Sequence, residues 1–370
     1  MAKIKVELKE RSYDVLVGSD ILSDLGKIIA GEGWGREVFI VTDPLVNDLY
    51  GDKLRRGLKD CRVCTLEVPR GERYKNLKLA SKLYDELVRH SAHRDSLIIA
   101  LGGGVIGDLA GFIAATYMRG INYVQVPTTL LAQVDASIGG KTGVNHPKCK
   151  NLIGSFYQPK LVYIDIQTLT TLPARELRTG LAEVVKYGVI KDSDFFKFLE
   201  ANSHHLNTNA FEAPDTLRAA LKVWQTIVAE SAKIKARVVE KDETEAGLRM
   251  ILNFGHTVGH AIETLTRYRA YNHGEAVAMG MVVAARIACR KKMISLHSVE
   301  RITGLLEKLG LPTEIEGLPA DRIVKALAID KKVRGGKVQF VIPERIGVVV
   351  IRNNIRLGDV RQILKEMGCR

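Results

Sequence analysis

The chain has 370 residues, of which 46% are hydrophobic and 6% aromatic, so it can bury a sizeable core and is long enough for two domains. It has no apolar run of membrane-spanning length, and its first residues alternate apolar and charged side chains, so we expect neither a membrane segment nor a signal peptide, and a cytoplasmic location. The formal net charge of +13 is spread along the chain instead of forming blocks, which argues against nucleic-acid and membrane partners and favours anionic small molecules.

The first elements along the chain predict an α/β domain. Strand patterns alternate with helix patterns, and helices are predicted over residues 21–30 and 76–90. We therefore predict a Rossmann-like domain with a largely parallel sheet over residues 1–166. The predicted strands cover residues 4–8, 14–17, 37–42, 63–68, 96–101, 123–126 and 161–166.

Cys61 and Cys64 have the C-x-x-C spacing of redox and zinc sites. They lie in an alternating run, and in a strand residues three apart point to opposite faces. We therefore predict one core cysteine and one surface cysteine instead of a shared ligand site.

Three consecutive glycines, 102–104, follow a predicted buried strand and precede a predicted helix. Glycines let backbone amides approach an anion, and the first turn of a helix attracts negative charge. With Gly107 the turn fits the dinucleotide pattern G-x-G-x-x-G, although close packing alone also explains such a turn. Thr128 and Thr129 end the next predicted strand, where α/β sheets bind ligands, and they favour a binding site.

Asp43 ends the predicted strand over residues 37–42. An acid at this position commonly holds the ribose hydroxyls of a dinucleotide. A cap for the following helix explains it equally well.

From about residue 177 to 332 the apolar spacing is that of helices, followed by a hairpin over 338–342 and 348–351 and a helix from residue 360. This change predicts a second, mainly α-helical domain over residues 167–370, and the candidate metal-binding groups and several candidate substrate-binding groups lie in it. His256 and His260 are four residues apart on one helix face, His273 follows a short connection, and Glu183 lies on another predicted helix. Carboxylate and imidazole groups in this pattern indicate a divalent metal site with open positions, and the spacing alone suggests both His256 and His260 as ligands.

Several cationic and amide side chains lie close in sequence to glycines or to candidate metal ligands. This pattern is typical of a site for a doubly anionic substrate. Lys141 follows a double glycine, Lys186 lies three residues beyond Glu183, and Arg249 and Asn253 are four residues apart just before His256.

The segments GGGVIGD, YMRG, VPTTLLAQVDASIGGKTGVNHP and KNLIGSFYQP resemble the 3-dehydroquinate synthase family of sugar phosphate cyclases. The resemblance continues, at lower density, over residues 38–330 without a long insertion. Cys149 stands where the family often has glycine after His-Pro-x, so this loop departs from the family pattern.

The resemblance implies NAD, one divalent ion (Zn²⁺ or Co²⁺) and an anionic sugar phosphate as ligands, and a homodimer as the assembly. The implied metal ligands are Glu183, His256 and His273. The implied catalytic residues are Lys141, Lys186, Glu245 and His260. The implied substrate contacts are Arg119 (from a neighbouring subunit), Asp135, Lys141, Asn151, Lys186, Lys235, Arg249, Asn253, His260 and Lys331 or Lys332. The implied cofactor contacts are Asp43, Glu72, Lys75, Gly103, Gly104, Val105, Gly107, Asp108, Thr128, Thr129, Asp135, Lys141, Lys150, Thr168, Leu169, Thr170 and Thr171.

The implied reaction converts 3-deoxy-D-arabino-heptulosonate 7-phosphate to 3-dehydroquinate and phosphate, a lyase step of the shikimate pathway. It proceeds by transient oxidation with NAD, phosphate elimination, re-reduction and intramolecular aldol closure. The alternatives are a metal- and NAD-dependent alcohol dehydrogenase, a non-catalytic nucleotide-binding protein, and a sister cyclase whose substrate lacks the carboxylate. By the same resemblance Lys235 and Arg249 bind that carboxylate, which argues against the sister cyclase.

Overall fold

The computed structural model describes residues 1–206, 208–211, 214–267, 269–333 and 338–369, without the side chains of 208–209, 214–216 and 330–333. These residues form two compact units. The first consists of Met1–Leu172 and Trp224–Thr244, and the second of Pro173–Val223 and Glu245–Arg370. The predicted division of the chain into domains after residue 166 stays a prediction, and the sequence did not suggest that residues 224–244 return to the first unit.

The first unit is built on one sheet of seven strands. The strands described in this unit are β1 (Ala2–Val6), β2 (Tyr13–Gly18), β3 (Glu37–Thr42), β4 (Arg62–Glu67), β5 (Leu97–Gly102), β6 (Asn122–Pro127), β7 (Lys141–His146), β8 (Cys149–Phe156) and β9 (Leu161–Asp165). The sheet order is β1-β2-β9-β6-β5-β3-β4, and every pairing except β1 with β2 is parallel. The predicted largely parallel sheet is therefore confirmed.

Helices cover both faces of this sheet. Val38 and Ile40 of β3 pack in one apolar cluster with side chains of two helices, while Phe39 and Val41 pack in a second cluster with side chains of two others. Because both faces are buried, the central strands are continuous apolar runs. The helices are α1 (Leu25–Glu32), α2 (Pro44–Val46), α3 (Asp52–Gly57), α4 (Leu77–Arg89) and α5 (Gly104–Thr116), of which α1 and α3 line the first cluster and α4 and α5 the second.

The antiparallel hairpin of β7 and β8 was not predicted. Most residues of β8 are exposed, so this strand lacks the apolar alternation that sequence reasoning depends on. Cys149 begins β8 opposite His146, and it is not among the residues with a positive φ. The loop therefore does not require the glycine that the family often has there.

Cys61 and Cys64 are both half-buried and free. Cys61 packs against the α1–α3 cluster and Cys64 against the α4–α5 cluster, so the predicted opposite faces are confirmed. The prediction of one core and one surface cysteine is wrong, because helices cover both faces.

The second unit is mainly helical, as predicted. Its hairpin pairs β10 (Phe340–Arg345) with β11 (Val348–Arg352), which confirms the predicted one. Among the described residues, none of the helices combines the length and hydropathy that a membrane span requires. The remaining helices are α6 (Ala174–Lys191), α7 (Ser193–Asn202), α8 (Pro214–Lys241, whose residues from Trp224 belong to the first unit), α9 (His256–Leu265), α10 (His273–Arg290), α11 (Leu296–Lys308), α12 (Ala320–Val333) and α13 (Leu357–Glu366).

Candidate active-site residues

Three side chains of the second unit converge at the predicted metal site. Glu183 lies within α6, while His256 and His273 are the first residues of α9 and α10. Oε1 of the buried Glu183 lies 3.6 Å from Nε2 of His256 and 3.7 Å from Nε2 of His273, and one ligand atom from each residue lies within 4.8 Å of the others. Ligand atoms around a tetrahedral zinc ion are about 3.3 Å apart. The donor set and its spacing therefore fit one zinc-like divalent cation.

Local sequence signals position the helix starts that carry the two histidines. Asn272 caps α10: its side-chain oxygen accepts from the amide of Glu275 at 2.9 Å, and the Glu275 carboxylate accepts from the amide of Asn272 at 2.9 Å. Arg175 donates to both oxygens of Glu275, at 2.9 and 2.8 Å. Gly255 precedes α9 with φ +81°, and a Cβ there would lie 2.6 Å from a carbonyl oxygen of α10. Glycine is therefore needed for α9 to begin so close to α10.

Hydrogen bonds and burial determine the protonation of the His256 and His273 imidazoles. Nδ1 of His256 lies 3.1 Å from the carbonyl oxygen of Phe254, which favours the tautomer with its proton on Nδ1 and leaves the Nε2 lone pair toward Glu183. Burial lowers the pKa of His256 to about 3, so this ring is neutral at physiological pH, the form in which imidazole binds a metal ion. Burial also acts to lower the pKa of His273, but its hydrogen bonds to Glu183 and Glu263 outweigh that effect and raise the pKa to about 10. Cation binding at His273 must therefore release a proton.

Glu263 is a functional candidate that sequence reasoning missed. Its carboxylate oxygen Oε1 lies 3.4 Å from Nδ1 of His273, and the residue is only 6% exposed. A carboxylate behind a ligating histidine orients the ring and raises its basicity. The available signal was its position in α9, seven residues and two turns after His256, on the same helix face.

His260 lies beside the cluster, outside its ligand set. Its ring centroid is 5.3 Å from that of His256, and the residue is exposed. The spacing of four residues therefore placed the two rings together without making both of them members of the metal-ligand group. Lys186, which is 1% exposed, forms an ion pair with Glu183 one turn away on α6.

Asn253 and Glu245 are brought together in the second unit, with Nδ2 of Asn253 donating to the Glu245 carboxylate at 3.2 Å. Glu245 has φ +62°, an unusual backbone conformation for a residue other than glycine that occurs often at functional sites. Arg249 is 2% exposed, which is rare for arginine. Lys331 and Lys332 lie in α12, but their side chains are outside the described part of the chain.

In the first unit, the glycine turn joins β5 to α5 as predicted, with Gly103 as the N-cap. A Cβ on Gly103 would lie 3.1 Å from a side-chain carbon of Thr129, and one on Gly107 would lie 2.7 Å from the side-chain oxygen of Gln125. Gly107 thus has a packing role, whereas Gly103 and Gly104 leave first-turn amides approachable by an anion, and both are only half-buried. The turn has the approachable amides that a dinucleotide phosphate requires, and its contact with the cofactor stays a prediction.

Three predicted cofactor residues and one predicted substrate residue meet at a buried ammonium group. Nζ of Lys75 lies 2.8 Å from the carboxylate of Asp108, 3.4 Å from that of Glu72 and 2.6 Å from the side-chain oxygen of Asn151. Burial acts to lower the pKa of Lys75, but its attraction to Asp108 and Glu72 outweighs this and leaves the pKa raised. The lysine therefore stays charged at neutral pH.

Asp43 accepts a hydrogen bond from the amide of Val46 at 3.3 Å, so the helix-cap interpretation is confirmed and the ribose contact stays a prediction. Asp135 forms an ion pair with Lys235 at 2.5 Å. Lys235 belongs to the first unit and Arg249 to the second, and their joint role stays a prediction.

The other predicted contacts of the first unit differ widely in exposure. Arg119 is exposed and has φ +68°, and Lys141 and Lys150 are exposed on β7 and β8. Their contacts with substrate and cofactor stay predictions. Half-buried positions are Val105, Thr129 and Thr170, buried ones are Thr128, Thr168 and Leu169, and Thr171 is exposed.

The sequence comparisons with known proteins point to one family. The 3-dehydroquinate synthase N-terminal family model matches residues 65–179, and the 3-dehydroquinate synthase C-terminal family model matches residues 180–333. A 3-dehydroquinate synthase of Nostoc punctiforme is 48% identical, over 98% of this chain and 99% of its own length.

Two solved structures share the architecture. The 2-epi-5-epi-valiolone synthase of Streptomyces hygroscopicus, solved with NAD⁺ and Zn²⁺, has a TM-score of 0.85 and 29% identity over 98% of both chains. A 2-deoxy-scyllo-inosose synthase, solved with carbaglucose-6-phosphate, NAD⁺ and Co²⁺, has a TM-score of 0.84 and 27% identity over 99% of this chain and 100% of its own.

Proposed function

The chain belongs to the 3-dehydroquinate synthase family, and we propose that it converts 3-deoxy-D-arabino-heptulosonate 7-phosphate to 3-dehydroquinate and phosphate. The reaction consists of transient oxidation of a substrate hydroxyl, phosphate elimination, re-reduction and aldol closure, which makes the enzyme a carbon–oxygen lyase. The observation that carries the proposal is the cluster of the buried Glu183 with the half-buried His256 and His273, in a chain that matches the synthases over nearly its whole length.

The cofactors fit the residues present. One carboxylate and two imidazoles suit Zn²⁺ or Co²⁺ and leave positions open for substrate. The half-buried turn at Gly103 and Gly104 suits the pyrophosphate of NAD. When bound, NAD supplies a reversible hydride acceptor and the metal ion a Lewis acid for the substrate oxygen.

The chain's own residues bind, orient and move protons. Lys141, Asn151, Asn253 and Lys331 or Lys332 hold the phosphate, and the buried Arg249, with Lys235, binds the carboxylate through charge-assisted hydrogen bonds. Lys186 supports Glu183 and contacts substrate, while Glu245 and His260 transfer protons. Arg119 contributes from the partner copy of a homodimer. The cofactor contacts are those that the family resemblance implies.

The alternatives have weaker support. Identity to the two sister cyclases is 29% and 27%, against 48% to the synthase of Nostoc punctiforme, so the substrate with a carboxylate is preferred. An alcohol dehydrogenase would use the same kinds of groups but would consume NAD.

A turnover assay separates these functions. With excess heptulosonate phosphate, Zn²⁺ or Co²⁺, and NAD only slightly above the enzyme concentration, we expect many equivalents of phosphate and dehydroquinate and no lasting rise in NADH absorbance. One NADH accumulated per product would establish a dehydrogenase. Equal turnover of an analogue without the carboxylate would favour a sister cyclase.

A further inference from the structure

Lys75 contacts residues from two groups to which the proposed function gives different roles, the cofactor contacts and the substrate contacts. Its ammonium group contacts the carboxylates of Glu72 and Asp108, which are assigned to the cofactor, and the amide of Asn151, which is assigned to the substrate phosphate. Lys75 is 3% exposed, so these acceptors replace most of its hydration. A buried cation with three fixed acceptors has little freedom to move.

The contact with Lys75 determines which way the amide of Asn151 faces. An ammonium group only donates hydrogen bonds, so the atom 2.6 Å from Nζ of Lys75 must be the amide oxygen Oδ1. Within the described residues, Nδ2 of Asn151 makes no hydrogen bond, and the residue is exposed. Both Nδ2 hydrogens are thus available to an anion.

The backbone of Asn151 is held by the same group of residues. It has φ +53°, a conformation that asparagine tolerates better than most residues. Its amide donates to Oδ1 of Asn145 at 2.8 Å, while the Asn145 amide donates to the carbonyl oxygen of Lys75 at 2.8 Å and its Nδ2 donates to Glu72 at 2.7 Å. The segment around Lys75 therefore positions the backbone of β8 at Asn151 as well as the Asn151 side chain.

We propose that Lys75 is a positioning residue for the substrate phosphate: it holds Oδ1 of Asn151 so that the Nδ2 hydrogens of that amide face the phosphate oxygens. The inference rests on the proposed function, which assigns Asn151 to the phosphate. It gives Lys75 a role in substrate binding in addition to its predicted contact with NAD.

The test uses the full chain loaded with Zn²⁺ and saturating NAD, and inorganic phosphate as the probe, titrated by calorimetry. Lys75→Met removes the donor and the charge. Asn151→Gly removes the amide but tolerates φ +53°. Lys78→Met, at an exposed lysine three residues away, is the matched control. The dissociation constant of NAD and the thermal midpoint are measured for each variant.

We expect Lys75→Met and Asn151→Gly each to weaken phosphate binding about tenfold, the size of one charge-assisted hydrogen bond. The double variant should be no more than about twofold weaker than either single one, because Lys75 acts through Asn151. Lys75→Arg, which keeps a donor for the amide, should bind phosphate more tightly than Lys75→Met. Lys78→Met should match the wild type.

The inference would be overturned if Lys75→Met bound phosphate within twofold of the wild type. It would also be overturned if the losses of the two single variants were independent and multiplied to about a hundredfold in the double variant. Wild-type protein that does not bind phosphate would overturn it too. Failure of the proposed function looks different: the wild type would bind phosphate and show the non-additive pattern, yet release none from the heptulosonate phosphate.

Discussion

Removing the carboxylate of Glu263 should weaken metal binding although Glu263 is not itself in the ligand group. Its oxygen lies 3.4 Å from Nδ1 of His273, in a position that is 6% exposed, so little water can replace it. Deleting such a partner typically costs about 10- to 100-fold in metal affinity, which corresponds to about 1.4–2.8 kcal/mol. We expect a loss in this range for Glu263→Ala and a smaller one for Glu263→Gln, which keeps an acceptor oxygen.

The measurement is a competition titration of Zn²⁺ against a chromophoric chelator, together with the visible spectrum of the Co²⁺ form. The spectrum reports the geometry of the ligands independently of turnover. Glu300→Ala, at an exposed glutamate of the same unit, controls for the loss of one negative charge. If Glu263→Ala folds and binds Zn²⁺ within twofold of the wild type, the orienting role assigned to Glu263 is wrong.

Three further predictions follow from the second unit. His273→Ala should lose bound metal by elemental analysis while His260→Ala retains it, and the reverse result would make His260 the third ligand. Arg249→Lys should reduce kcat/KM about 10- to 100-fold despite keeping the charge, since paired hydrogen bonds to a carboxylate are lost; unchanged kcat/KM would remove Arg249 from the carboxylate site. Burial acts to raise the pKa of Glu275, but Arg175 and the helix cap lower it overall, so its stabilising effect is present above its ordinary pKa and lost in acid. Urea unfolding should therefore show Glu275→Gln less stable than wild type at neutral pH, with the difference narrowing as the pH falls through about 4; a difference independent of pH would contradict this.

Local sequence patterns determined much of the fold and of the candidate site. The apolar runs that became β3, β5 and β9 are visible because both faces of a parallel sheet are buried. The glycine turn before α5 and the capped starts of helices such as α4 depend on residues a few positions apart. The family resemblance then implied His256 and His273 as metal ligands, and the structure places their nitrogens near the carboxylate of Glu183.

Contacts between residues far apart in sequence were decided by the tertiary structure alone. Strand β8 is mostly exposed, so without its pairing to β7 it resembles a loop. Lys75 and Asn151 are 76 residues apart, and neither has a local pattern that names the other. In the sequence, Glu263 resembles an ordinary polar residue of an amphipathic helix. Only the structure shows that His273, at the start of α10, lies against it. Each of these contacts depends on burial and on which segments become neighbours, and local periodicity encodes neither.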